Sequence, residues 1–165
     1  MPACLSFILF QTALFAGPLD NWHWRNPLPN GNPPSLPHNF HGITFANGTF
    51  VAAGDGGVVS TSTDTTNWTE SATATANTLN AITYTYSNGL LVAVGDGGVV
   101  EYSSDGTNWA LGASATTNSL KAVAYGNGVW VAVGAGGVII TSTNCRELDP
   151  PGVGHNRQLH RCDPW

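Results

Sequence analysis

The sequence predicts an all-β chain built from β-propeller blades. One segment occurs three times, at residues 40–60, 79–101 and 120–140. Each copy contains a GDGG or GAGG turn, and the glycines that open these turns are Gly54, Gly95 and Gly134. Their spacings of 41 and 39 residues are typical of propeller blades, which repeat about every 40 residues with several short strands in each repeat.

The composition supports strands joined by tight turns. Glycine occurs 20 times and charged residues make up only 9% of the chain, while Thr, Ser, Asn and Val are frequent in its middle. Such residues favour strands and turns, and no stretch places apolar residues at helical spacing. With 165 residues, the chain forms one domain or part of one.

The middle repeat shows the predicted strands most clearly. Residues 80–86 alternate in polarity, and Asn88-Gly89 is a pair that can adopt the positive φ angles of a tight hairpin. Residues 90–94 are almost continuously apolar, as in a strand buried on both faces. A third strand follows at residues 99–103, and a fourth begins at residues 108–110. Four antiparallel strands in one repeat make one blade.

A second motif carries a family resemblance. Residues 103–109, SSDGTNW, resemble a shortened form of the Asp-box hairpin, Ser-x-Asp-x-Gly-x-x-Trp, which occurs in bacterial secreted propellers, sialidases and photosystem II assembly factors. The resemblance implies that the Asp bonds its own turn and the Trp packs between sheets. It therefore implies a scaffold role and no activity for these side chains, which are Asp64, Trp68, Asp105 and Trp109. The first repeat has Thr65 at the glycine position, and the third departs from the pattern after Asn144.

The number of blades predicts self-association. Residues 20–27 resemble the start of a fourth strand without its preceding three strands, whereas the third repeat has three strands and lacks its fourth. Three blades do not close a ring, because propellers begin at four. We therefore expect two chains to complete one six-bladed ring as a homodimer, with the N-terminal strand completing a blade in its own chain or its partner.

The sequence divides into four segments. Residues 1–17 contain an apolar run ending in small residues, which resembles a secretory signal although it lacks basic residues near Met1. This interpretation predicts a secreted or periplasmic protein, and the alternative is a buried N-terminal segment that stays attached. Residues 18–38 form an outer strand and linker, residues 39–144 the three blades, and residues 145–165 a tail outside the repeats.

The tail differs from the rest of the chain, because it holds six of the fifteen charged residues. Three interpretations remain open. It contains four potential zinc ligands, which are Cys145, His155, His160 and Cys162. Alternatively, Cys145 and Cys162 form a disulfide, as an exported protein permits. The third interpretation is accidental, disordered sequence from a truncated or frame-shifted gene.

Charge limits the possible partners. The formal net charge is -5 and the chain has only five Lys and Arg residues. Nucleic acids need a basic surface to neutralise phosphates, and anionic membranes need one too. Both are therefore excluded as partners. A surface poor in charge but containing 6 Trp and 4 Tyr favours sugars.

The repeat alignment places candidate functional residues at the mouth of the propeller channel. The residues that enter the innermost strands are His41, Asn80 and Lys121, and those on the turns between second and third strands are Asp55, Asp96 and Ala135. These positions differ between repeats while the apolar framework is kept. They predict a ligand-binding site, and the alternative is a set of ordinary solvated turn residues.

Two functions follow from these residues. The first is a secreted, non-catalytic module that binds a carbohydrate or a protein partner at the channel face. The second is a glycoside hydrolase that uses Asp55, Asp96 and His41 as its acid and base groups. A sialidase-like arginine cluster is absent, because Arg25 is the only Arg before the tail. No organic cofactor is expected, although carboxylates doubled in a dimer would suit a divalent cation.

Overall fold

A computed structural model of the chain describes residues 38–144 and 147–148, all within the second of two units, Pro34–Trp165. The first sheet contains β1 (Phe40–Ala46), β2 (Thr49–Gly54), β3 (Val58–Ser62) and β4 (Thr69–Ala72). The second contains β5 (Leu79–Thr85), β6 (Leu90–Gly95), β7 (Val100–Ser103) and β8 (Ala110–Leu111), and the short β9 (Ala113–Ser114) follows it. The third contains β10 (Leu120–Gly126), β11 (Val129–Gly134) and β12 (Ile139–Ser142).

Each of these three sheets is antiparallel, with its strands side by side in chain order. The first three predicted strands of the middle repeat agree with the observed ones to within one residue at each end, and the fourth begins at Ala110, two residues after the predicted start at residue 108. The innermost strands β1, β5 and β10 contact one another in that order, so the three sheets follow one another as three blades. The all-β prediction with blade repeats is confirmed.

Apolar side chains hold neighbouring blades together. One buried cluster joins the first and second blades and includes Val51, Val59 and Leu91. A second cluster joins the second and third blades and includes Val94, Val100 and Trp130. Every residue of β6 is buried, because this strand contributes side chains to both clusters. Its continuous apolar run is thereby explained.

The GDGG and GAGG motifs form the turn between the second and third strands of each blade. Each turn is a 3-10 turn, at Asp55–Gly57, Asp96–Gly98 and Ala135–Gly137. In the first, Gly56 and Gly57 have φ angles of 65° and 69°, a left-handed conformation that favours glycine. A Cβ atom on Gly57 would also collide with the backbone oxygen of Thr75. The left-handed conformation therefore favours glycine at both positions, and the close approach of the Thr75 backbone requires it at Gly57.

The loop between the first and second strands of the middle blade differs from its prediction. Asn88 does not have a positive φ; in its loop only Gly89 does, at 68°. The loop between β5 and β6 has four residues, two more than its counterparts, and closes through Gly89 N–H donating to Thr85 O at 3.0 Å. The two-residue loops keep the expected geometry, with φ of 48° at Asn47 and 50° at Asn127.

The third blade has three strands in the described part of the chain, as the repeat alignment predicts. Two residues of the tail form β13 (Glu147–Leu148), which pairs in parallel with β9 and not with β12. The predicted signal at residues 1–17, the predicted outer strand at residues 20–27 and the zinc or disulfide residues of the tail lie outside the described residues. Within the described ranges, no helix is long and apolar enough to span a membrane.

Candidate functional site

The candidate residues lie at one end of the three blades. Since successive strands are antiparallel, the start of each innermost strand and the turn after each second strand lie at the same end. In every blade the backbone N–H of the turn's first residue donates to the carbonyl oxygen of the residue that precedes the innermost strand. The bonds are Asp55 N to Asn39 O at 2.9 Å, Asp96 N to Thr78 O at 2.9 Å and Ala135 N to Ser119 O at 2.8 Å.

A β-bulge aims three of the candidate side chains. The register of each innermost strand against the second strand skips one residue, between Phe40 and Gly42, Leu79 and Ala81, and Leu120 and Ala122. The skipped residues are His41, Asn80 and Lys121. A bulge changes the direction of its side chain and leaves it out of the regular alternation. His41 and Asn80 therefore contact the turn of their own blade, and Lys121 contacts the turn of the second blade. We call this group, with Asp55 and Asp96, the mouth site.

In the first blade, Asp55 binds two neighbours from its own blade. His41 Nε2 lies 2.7 Å from Asp55 Oδ1. Asn39 donates to Oδ2 twice, from its side-chain amide at 2.8 Å and from its backbone N–H at 3.2 Å. The hydrogen bond from His41, followed by those from Asn39, holds the pKa of Asp55 below its usual value. The carboxylate is therefore ionised at neutral pH.

In the second blade, Asp96 joins two blades. Asn80 Nδ2 donates to Asp96 Oδ1 at 2.8 Å, and Lys121 Nζ, from the third blade, donates to the same oxygen at 2.9 Å. The Asn80 bond and then the Lys121 bond lower the pKa of Asp96 to about 2. Asn80 also donates to Leu120 O at 2.9 Å. The mouth site thus ties the second and third blades together with polar contacts.

The third blade breaks the pattern. Ala135 stands where the other blades carry Asp55 and Asp96, so this turn has no carboxylate. Besides the backbone hydrogen bond to Ser119, this turn accepts a long side-chain contact, with Asn118 Nδ2 at 3.4 Å from Ala135 O. The mouth site is therefore concentrated on the first two blades and the inner edge of the third.

The geometry limits the chemistry of the mouth site. Both carboxylates are ionised, so they can accept hydrogen bonds or bind cationic groups. A glycosidase with two carboxylates needs one of them protonated at its working pH, and neither Asp55 nor Asp96 has the raised pKa that this role requires. Among the described residues, no group of three or more His, Cys, Asp or Glu side chains could hold a metal ion.

Sequence reasoning missed two asparagines beside the mouth site. Asn39 makes two of the three hydrogen bonds to Asp55, and Asn77 donates to Asp96 O at 3.2 Å. The repeat alignment contained a signal for the second, because Asn118 occupies the same position in the third blade. Asn39 has no counterpart among Thr78 and Ser119, so only the folded chain shows its role.

The Asp-box-like turns lie away from this site and bond internally. Asp105 Oδ1 accepts the backbone N–H of Asn108 at 2.7 Å and of Thr107 at 2.8 Å. Burial alone would raise the pKa of Asp105, but the bonds from Asn108 and Thr107 outweigh it and hold the pKa below its usual range. Trp109 Nε1 donates to Gly106 O at 3.1 Å, and its ring packs against the cluster between the first two blades.

The first blade repeats these contacts. Asp64 Oδ1 accepts the backbone N–H of Asn67 at 2.7 Å and of Thr66 at 2.8 Å, which hold the pKa of Asp64 well below its usual range. Trp68 Nε1 donates to Thr65 O at 3.4 Å. In both turns the Asp carboxylate accepts hydrogen bonds from its own turn, and the Trp Nε1–H donates to the same turn.

A buried acid was also missed. Glu101 lies on β7, fully buried, and no described hydrogen bond reaches either carboxyl oxygen. Burial raises the pKa of Glu101. The Thr73 hydroxyl and the Ala74 and Thr75 amides are near enough to oppose this rise, but none of them meets hydrogen-bond geometry. The sequence offered one signal, a charged residue in a strand whose other residues are uncharged.

Comparison with known proteins identifies the fold. The chain is similar to the crystal structure of the WD40 β-propeller domain of Doa1, with a TM-score of 0.52 and 14% sequence identity over 67% of this chain and 39% of that one. The chain has a β-propeller fold. It spans 39% of the length of that neighbour. No protein-family model and no curated protein sequence matches it.

Proposed function

We propose that this propeller is a secreted binding module whose mouth site takes a carbohydrate. The observation that carries the proposal is the pair of ionised, partly exposed carboxylates, Asp55 and Asp96, each beside hydrogen-bond donors. Sugar hydroxyls can donate to these carboxylates and accept from Asn80 or Lys121. The scarcity of charge in the whole chain, 9% of residues, suits a neutral ligand. A protein partner that presents polar groups to the same mouth is the alternative.

Binding is favoured over hydrolysis by the charge state of the site. Glycoside hydrolysis needs a proton donor near the leaving oxygen, and the hydrogen bonds around Asp55 and Asp96 hold both carboxyl groups ionised. The site therefore has acceptors for a ligand but no carboxylic acid that would protonate it.

The proposal includes three further assignments. The turns at Asp64 and Asp105 belong to the Asp-box type, which their internal hydrogen bonds support. The signal-like residues 1–17 direct the chain to the periplasm or outside the cell. A second copy of the chain completes the ring, since three blades are fewer than the four that the smallest propellers contain.

Glycan-array binding tests the ligand class. The full chain is applied to an array of neutral oligosaccharides beside the double variant Asp55→Asn/Asp96→Asn and a control, Glu70→Gln, which removes an exposed carboxylate from β4. We expect the double variant to lose about tenfold or more in affinity, because hydrogen bonds to charged groups are worth about 1.5–3 kcal/mol each. The control should bind as the unchanged protein does.

Two outcomes would contradict the carbohydrate assignment. If no oligosaccharide binds, or the double variant binds as well as the unchanged protein while circular dichroism shows it folded, the mouth is not a sugar site. A protein ligand would then be sought by affinity capture that the same double variant abolishes. Turnover of a chromogenic glycoside that the double variant loses would instead favour the hydrolase.

A further inference from the structure

The two terminal blades each expose an apolar face whose counterparts inside the chain are buried. We call the face of each blade that points to the next one its trailing face, and the face that points to the preceding one its leading face. Within the chain, each joint between blades packs a trailing face against a leading face. The third blade has no described blade beyond it, and the first has none described before it.

The trailing faces show the contrast directly. Val59, Val100 and Ile139 occupy the same position at the start of the third strand. Val59 and Val100 are 0% and 2% exposed, whereas Ile139 is 51% exposed. Beside it, Val133 is also exposed, although its counterpart Val94 is fully buried. The sequence thus keeps an apolar joint surface on the third blade that nothing in the described chain covers.

The leading faces show the same contrast at the other end. Ile43 and Ile82 occupy equivalent positions on β1 and β5, yet Ile43 is 60% exposed and Ile82 only 8%. Phe45 is likewise exposed, while its counterpart Tyr84 packs against the cluster between the first two blades. An exposed aromatic and an exposed isoleucine therefore lie side by side on the leading face of the first blade.

The chain already contains the joint that would cover both faces. Val123, the counterpart of Ile43 in the third blade, packs against the cluster that includes Val100, the counterpart of Ile139. We propose that the trailing face of one chain, Val133 and Ile139, binds the leading face of a second copy, Ile43 and Phe45. The reverse contact closes a six-bladed ring around a two-fold axis along the channel. This inference rests on the proposed second copy and specifies its contact surfaces.

The joint between copies differs from the internal joint in its charge. Inside the chain, Lys121 of the third blade binds Asp96 of the second at 2.9 Å. At the joint between copies, Ala135 replaces that carboxylate and His41 of the second copy would stand where Lys121 does. No ion pair of this kind can form there, so burial of the apolar side chains stabilises the association.

Two charged variants test the pairing of the faces. Ile139→Asp damages the trailing face, and Ile43→Lys damages the leading face. Each variant alone should sediment as one chain of 17.2 kDa, because both joints of its ring would bury an unpaired charge. An equimolar mixture should regain two-chain particles, because one joint is then unchanged and the other places the introduced lysine opposite the introduced aspartate. Leu111→Asp, a similarly exposed apolar position on β8, should leave the two-chain particle intact.

The measurement is sedimentation equilibrium in reducing buffer, so that the three cysteines cannot link copies. Circular dichroism checks that each variant keeps its strands, and Ile139→Ser serves as a milder variant if Ile139→Asp does not fold. A cooperatively unfolding monomer of the unchanged chain would overturn the inference, because its own residues would then cover the faces. So would a mixture that stays monomeric. A two-chain particle that fails to bind sugars would count against the proposed ligand alone.

Discussion

Glu101 is the one charged side chain among the described residues that is fully buried, and it lies on the face of β7 that points to the first blade. Its counterparts are Ser60 in the first blade and Ile140 in the third, which is itself buried. Thus the same position accepts a small polar, an acidic or an apolar side chain. Of these, the acid fits least well with its surroundings, because an ionised carboxylate without hydrogen bonds is costly to bury.

Glu101→Gln should make the protein more stable at neutral pH. The folded-state pKa of Glu101 is raised above the value of 4.5 for a free side chain. Its contribution to stability is therefore fully present below that value and is lost as the pH rises through the folded-state pKa. The variant should be more stable than the unchanged protein at about pH 7, and the two should match near about pH 4, where the carboxyl group is largely protonated in both the folded and the unfolded state. Urea unfolding at the two pH values measures this.

The exposed Glu70→Gln is the matched control for that experiment. It should leave the free energy of unfolding unchanged at both pH values. A Glu101→Gln variant that is equally or less stable at neutral pH would show that the buried carboxyl is stabilised by groups other than those described.

The contribution of Asp96 to stability depends on pH in the opposite direction to that of Glu101. Its pKa is lowered to about 2, first by Asn80 and then by Lys121, so its contribution to stability is present above the unfolded value of 3.8 and is lost as the pH falls through about 2. We expect Asn80→Ala to raise the pKa of Asp96 more than Lys121→Met does. Carboxyl carbon NMR titration would show the order, and a larger effect of Lys121→Met would contradict the assignment of the main cause to Asn80.

At the scale of single elements, the two Asp-box-like turns differ at one backbone position. Gly106 has a φ of 78° and Thr65, its counterpart, has a φ of 62°. The left-handed conformation costs a non-glycine residue about 1–2 kcal/mol. The hydrogen bond from Thr65 N–H to Ser62 Oγ at 2.9 Å, together with those from Thr66 and Asn67 to Asp64, holds Thr65 in that conformation all the same. The first turn therefore has the same shape as the second at a higher conformational cost.

Exchanging the two residues should have opposite effects. Thr65→Gly should stabilise the protein by about 0.5–1 kcal/mol. The free-energy cost of the left-handed conformation, which glycine does not have, exceeds the additional backbone entropy that glycine loses on folding. Gly106→Thr should destabilise it by about 1–2 kcal/mol. Thr63→Gly, in the same turn but without a positive φ, is the control and should destabilise. Denaturant midpoints measure all three, and a destabilised Thr65→Gly variant would disprove the explanation.

The sequence predicted the strands well and one loop poorly. Strand positions follow from polarity alternation and from the Gly-Gly turns, which are local features repeated three times. The geometry of the Asn88 loop depended on where hydrogen bonds closed around two additional residues, Tyr86 and Ser87, and no dipeptide pattern contains that information. The bulges at His41, Asn80 and Lys121 were likewise invisible, because a register shift is a relation between two strands.

At the scale of the whole molecule, the proposed association of two copies should depend little on salt. The exposed residues of the joint are Ile43, Phe45, Val133 and Ile139, and screening acts on charges rather than on apolar burial. Sedimentation from about 0.05 to about 0.5 M NaCl should give the same two-chain mass, since the Debye length falls over that range without affecting this surface. Lys121→Met should leave the mass unchanged, and dissociation at high salt would indicate an ionic joint.

The sequence by itself determined the fold class, the three blades and the end of the blades at which the polar residues would gather. Those features arise because each repeat contains the same local patterns, which are alternating strand residues, a Gly-Gly turn and an apolar face. Only the tertiary structure decided which partners the polar residues found: Asp55 binds within its own blade, whereas Asp96 binds across to Lys121. It also decided which repeated apolar positions are buried, since burial depends on whether a neighbouring blade is present, and Val100 and Ile139 are alike in sequence but not in surroundings.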